Sequence, residues 1–177
     1  MKNKDYSFLK CLVTGDKLSF IGVDSEHLQN IAQKFENTYQ IKVEAFMVNE
    51  GNAYYYPICS NVLILLNGYY FKDDELVINN VSLNPFAMFN LTDKEWYKTY
   101  DKIVDFKKKD ILENINNLDG SNDNLVEYLS SSGELITFLK KYSTANIKNY
   151  IALDLDYFAL KELAENDSSI ISICCDA

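Results

Sequence analysis

Two pairs of carboxylates come nearest to chemistry by residue type and spacing: Asp73/Asp74 and Asp154/Asp156. Two acids with separated pKa values run glycoside hydrolysis, and two on one face hold a hard cation such as Mg²⁺. Asp154 and Asp156 share a face if their segment is a strand, because alternate residues point the same way. Against this, Asp73 and Asp74 open an acidic triplet with Glu75 in a turn. Asp156 stands where a helix N-cap is expected, so a solvated loop and a cap are the favoured roles. His27, the single histidine, falls in the first turn of an expected helix and reads as a solvated residue on its outer face. Ser7-Phe8-Leu9-Lys10 matches S-x-x-K, but neither companion motif of that catalytic set exists. The six glycines are isolated, so no loop cradles phosphate, and there is no G-x-S-x-G elbow. Cys11, Cys59, Cys174 and Cys175 lack C-x-x-C spacing, and adjacent cysteines bridge each other only with strain. They read as buried free thiols of a reducing compartment. No catalytic, metal or cofactor set is assigned, and the chain is not read as an enzyme.

The elements that position these residues centre on residues 53–71. Val62 to Leu66 is an unbroken apolar run, too short for a helix of typical length and suited to a strand buried on both faces. Tyr54, Tyr55, Tyr56, Tyr69 and Tyr70 crowd its ends, and Asn67-Gly68 is the dipeptide of a tight two-residue hairpin. Before it, Lys17–Val23 predicts a first strand, paired with Phe8–Val13 across Thr14-Gly15-Asp16. Leu28, Ile31, Ala32, Phe35 and Tyr39 predict a helix over 25–39, and Ile41–Val48 a returning strand. After it, Tyr69–Lys72 and Leu76–Val81 continue a meander, and a loop at 82–91 packs Phe86, Met88 and Phe89 inward. Thr92-Asp93-Lys94-Glu95 is a capping box that opens a long helix to about Asn117, carrying Trp96, Tyr100, Ile103 and Val104. Asp105 and Asp110 bracket Lys107-Lys108-Lys109, which therefore reads as a solvated face. A turn at Leu118–Asn122 leads to a second helix over 123–142, with Gly133 as a weak point. Residues 146–165 fit either one continuous helix or, by the alternation of Leu153 and Leu155 with Asp154 and Asp156, strand–helix–strand ending at Ile170–Cys174. The class is α+β in one domain spanning 1–177: an antiparallel β-meander with one early helix, then a helical C-terminal half with a final strand as the preferred reading.

Composition then bounds the partners. A chain of 177 residues with 47% hydrophobic and 24% charged residues has the make-up of a globular domain. There is no leader pattern and no apolar run near the ~18 residues of a membrane span, which predicts a cytoplasmic protein. The net charge is −9, and all 17 basic residues are lysine. Residues 119–177 hold 10 acids against four lysines, and residues 1–118 hold 16 acids against 13. Without arginine, the usual bidentate reader of phosphate and guanine, and with this field, direct nucleic-acid binding is disfavoured. Tyr54, Tyr55, Tyr56, Tyr69 and Tyr70, rimmed by Asp73, Asp74 and Glu75, instead suit the binding of a basic protein surface.

In size, acidity, α+β build and lack of a catalytic motif, the chain resembles bacterial immunity proteins, the inhibitors of polymorphic and contact-dependent growth-inhibition toxins. The resemblance implies tight binding to one cognate toxin domain, often a basic nuclease, by blocking its active site or an exosite. The alternatives are another acidic adaptor or a phage- or plasmid-encoded enzyme inhibitor, and a small carboxylate-dependent enzyme.

Overall fold

The computed structural model describes residues 4, 6–78, 84–86, 107–118 and 122–176. The chain is α+β, and its described strands form a single nine-stranded mixed sheet. The expected capping box at Thr92–Glu95, the residues Met88, Phe89, Trp96, Tyr100, Ile103 and Val104, and most of the 118–122 turn lie outside the described residues.

The apolar run at Val62 forms the middle of this sheet. Strand β4 (Val62–Ile64) is fully buried, as expected of a strand covered on both faces. On one side it pairs antiparallel with β3 (Tyr54–Cys59), and on the other it runs parallel to β9 (Ile171–Cys174). It is the seam between two half-sheets. The antiparallel half continues from β3 to β2 (Ala45–Asn49) and β1 (Leu18–Gly22). Among its described residues, the N-terminal segment adds an isolated Lys10–Lys17 bridge and not the strand expected at 8–13. Helix α1 (Glu26–Tyr39) connects β1 to β2, with Ser25 as its N-cap, the hydroxyl oxygen accepting from the Leu28 amide at 3.2 Å.

The tight hairpin expected at Asn67-Gly68 is not formed. Strands β4 and β5 (Tyr70–Lys72) both pair with β3, through Ile58↔Leu63 and Tyr55↔Phe71, and not with each other. They occupy one track beside β3, broken by Leu65–Tyr69, where Asn67-Gly68 makes a turn closed by Tyr69 N and the Leu66 carbonyl at 3.2 Å. The break has a local cause. The Ile58 carbonyl accepts from Glu44 N, so by alternation Pro57, which has no N–H, faces the interrupted track. The two-residue turns with both residues left-handed sit elsewhere, at Ser60-Asn61 (φ 49 and 62) and Asp73-Asp74 (φ 47 and 67). The second of these joins β5 to β6 (Glu75–Val77).

The second half departs further from expectation. Helical residues 107–116 (α2) match the end of the expected long helix. The predicted helix over 123–142, however, divides into strand β7 (Asn122–Tyr128) and helix α3 (Glu134–Tyr142). Gly133, the weak point, is the N-cap of α3. Leu125 and Leu129 stand at helical spacing, but Leu125 packs on the core while Leu129 is 66% exposed, so they share no buried stripe. Parallel pairing of β7 with β8 (Ile147–Asp154) decides the matter. From there the preferred strand–helix–strand reading holds: β8, α4 (Tyr157–Asn166) and β9 follow, with Asp156 as N-cap.

One face of the sheet carries α1, α3 and α4, packed through Phe35, Ile136, Leu160 and Leu163 onto Phe46, Val62, Ile64 and Ala152. The opposite face gathers Met47, Tyr56, Ile58, Leu63, Ile171 and Ile173 beneath the N-terminal residues Tyr6, Leu9 and Cys11. Cys174 and Cys175 fall on opposite faces, and all four cysteines are free thiols.

Candidate functional site

The expected surface centred on five tyrosines and three acids. Strand alternation divides the rings between the two faces: Tyr55 and Tyr69 join the helix side, Tyr54, Tyr56 and Tyr70 the other. Tyr55, Tyr56, Tyr69 and Tyr70 are buried, with exposures of 6, 0, 7 and 8%, and only Tyr54 is half-buried. These five tyrosines therefore form no exposed cluster. The rings pack against each other and the core, with centroids 5.5 Å apart for Tyr56–Tyr70 and 5.5 Å for Tyr39–Tyr69. Tyr56 Oη accepts the Leu12 amide at 3.1 Å and lies 3.3 Å from Cys11 Sγ, fixing the N-terminal segment over the sheet. Burial, first among several causes, drives the Tyr56 hydroxyl pKa well above its ordinary value.

The three acids keep their surface position. Asp73-Asp74 is the tip of the β5–β6 hairpin, where aspartate tolerates the left-handed backbone that a two-residue turn demands. Helix α1 holds this tip at two points. His27 Nε2 lies 3.3 Å from Asp74 Oδ1, and Lys34 Nζ donates to the Asp74 carbonyl at 2.8 Å. His27 and Lys34 are seven residues apart and so lie on one side of the helix, two turns along. Beneath the contact, the His27 and Tyr55 rings are 6.3 Å apart edge to face. The Tyr55 hydroxyl pKa is raised by burial and then by the nearby charges of Asp74 and Asp73. Asp74 is thus committed to the anchor, while Asp73 and Glu75 are exposed.

The role of His27 differs from the sequence reading in one respect. It is exposed, as expected, but it also positions the acidic turn. No spacing signal could have found this, because 47 positions separate the partners and only the docking of α1 on β6 brings them together.

The second carboxylate pair is structural. Asp154 Oδ2 accepts from Ser131 N at 2.7 Å, and its Oδ1 from Asp156 N at 2.9 Å. Asp156 Oδ1 caps α4 through the Phe158 and Ala159 amides at 2.9 and 3.2 Å. Both carboxylates hold backbone amides where a shared cation would need them. Among the described residues, no group of three His, Cys, Asp or Glu side chains is placed to hold a metal, and no helix is long and apolar enough to cross a membrane. Lys107 and Lys109 are exposed as expected, whereas Lys108 is partly buried, 3.4 Å from Glu134 Oε2 and over the Phe138 ring. The chain matches no family model and no curated protein, so its geometry must carry any functional reading.

Proposed function

We propose that the protein is an immunity protein that binds and neutralises a cognate bacterial toxin domain, a basic nuclease, in the cytoplasm. The observation that supports this reading is the acidic β5–β6 tip: Asp73 and Glu75 exposed on a two-residue turn that α1 pins through His27 and Lys34. A turn held in place before binding loses little entropy when a partner docks, and its charge accelerates encounter with a basic face. The chain as a whole, at −9 with no arginine, carries a field of the same sign. Tyr54 is the tyrosine of the expected five that retains partial exposure and can extend the contact. The buried rings serve as scaffold.

The test begins with affinity capture from the native organism's lysate and identification of a stoichiometric basic partner, encoded by a toxin-like reading frame directly upstream. Association is then measured with Asp73, Asp74 and Glu75 all changed to lysine. The expected result is an on-rate lower by ten-fold or more at low salt, converging with wild type as salt screens the field. A triple variant that associates as fast as wild type at low salt would place the interface elsewhere.

A further inference from the structure

Helix α3 begins without a cap of its own. Its N-cap, Gly133, has φ 72 and no side chain to offer. The free amide of Ile136 in the first turn is instead taken by Glu127 Oε2 from β7, at 3.1 Å. A carboxylate is well suited there, because the first amides of a helix are unpaired and carry partial positive charge. The loop between β7 and α3 has a second tie from the neighbouring parallel strand, the bond from Ser131 N to Asp154 Oδ2. Between these ties the backbone is strained, with Leu129 at φ 55 and Ser131 at φ 48 in the left-handed region. Two carboxylates thus hold this strained corner, together with the bond from Ser130 N to the Leu153 carbonyl at 3.1 Å.

Charges face Glu127 from each element packed on it. Asp154 comes from β8 and Lys108 from α2, and Glu134 on α3 lies 3.4 Å from the Lys108 Nζ. Burial comes first among the causes that raise the Glu127 carboxyl to about 7, and Asp154 adds to it, while the Ile136 amide and Lys108 pull it back.

We propose that the β7–α3 corner is a proton-operated joint, in which one solvent proton on the Glu127 carboxylate weakens the hold of the sheet on the first turn of α3. With the proton off, the bond to Ile136 is charge-assisted and complements the helix dipole. With the proton on, a neutral carboxyl makes a weaker bond, so the first turn opens more readily while the carboxyl itself stays buried on β7, where the same proton spares the fold a buried charge. The loop then relies on the ties from Ser131 N to Asp154 and from Ser130 N to the Leu153 carbonyl at 3.1 Å.

The test is a ¹⁵N NMR pH titration of the whole protein, following the Ile136 amide, with hydrogen exchange of the same amide corrected for intrinsic rate. Wild type should show one inflection near neutrality, with exchange roughly fivefold faster on its acid side. Glu127→Gln, an isostere of the protonated acid, should lack the inflection. Asp154→Asn should move it to lower pH, and Lys108→Met to higher pH. The proposal fails if Ile136 shows no inflection between about pH 5.5 and 8.5, if the inflection survives in Glu127→Gln, or if exchange is unchanged across it.

Discussion

Replacing Gly133 with alanine tests the packing of α3 against α4 and the left-handed start of α3 together. A Cβ at this position would lie 2.5 and 2.7 Å from the two methyl carbons of Leu163 and 3.1 Å from its Cγ. Leu163 is 2% exposed, so its methyls can move aside only into a packed core. Such overpacking costs about 1–3 kcal/mol. The backbone adds a second cost, since φ 72 suits glycine and imposes about 1 kcal/mol on an L-residue. The sum, about 2–4 kcal/mol, is a large share of the ~5–15 kcal/mol that holds a domain folded, and corresponds to a Tm lower by roughly 5–15 °C at this chain length. Urea denaturation with a double-mutant cycle separates the two parts. Leu163→Ala alone should cost about 2–5 kcal/mol through the cavity it leaves. In that background Gly133→Ala should cost only the backbone part, giving a coupling of about 1–3 kcal/mol. The reasoning is refuted if Gly133→Ala unfolds within ~0.5 kcal/mol of wild type, or if the two substitutions are additive.

Glu127→Gln should change the pH dependence of stability as well as the local joint. The folded chain keeps a proton on Glu127 up to about pH 7, whereas the unfolded carboxyl releases it near its ordinary value of 4.5. The stability contributed by that proton is therefore complete below the lower value and lost as pH rises through the upper one. The variant should match wild type near pH 4.5 and exceed it by about 2 kcal/mol at pH 8, after allowing for the partial exposure of the side chain. An equal difference at both pH values in urea titrations would overturn the assignment. Asp156→Ala removes the acceptor of the Phe158 and Ala159 amides and should cost about 1–2 kcal/mol, with Asp156→Asn or Asp156→Ser retaining most of it. If alanine and asparagine are equally tolerated in thermal melts, the cap contributes nothing.

The candidate site was partly legible. Asp73, Asp74 and Glu75 could be placed in an exposed turn because acids between two short apolar runs have few other places to go. The tyrosines beside them could not be placed, because the sequence shows only that alternate rings face alternate sides. Whether a side is solvent or core depends on what lands there, and here the helices took one side and the N-terminal segment the other. His27 shows the same boundary, since its partner is fixed by the docking of a helix onto a distant hairpin.

Local signals determined α1 and the buried strand at Val62–Ile64, and favoured the Asp156 cap with the β8–α4–β9 succession over one continuous helix. Each rests on periodicity or capping within about 15 residues, and such energies act before any long-range contact forms. Only the tertiary structure decided that residues 122–128 are a strand, that Asn67-Gly68 is an excursion and not a hairpin, and that Glu127 caps a helix it does not belong to. In each case a partner from elsewhere settled a short ambiguous segment: β8 offered β7 a parallel ladder, and β3 offered β4 and β5 one shared track broken opposite Pro57. A ladder of backbone hydrogen bonds and a buried face outweigh propensity differences of well under about 1 kcal/mol per residue, and no window on the sequence contains them.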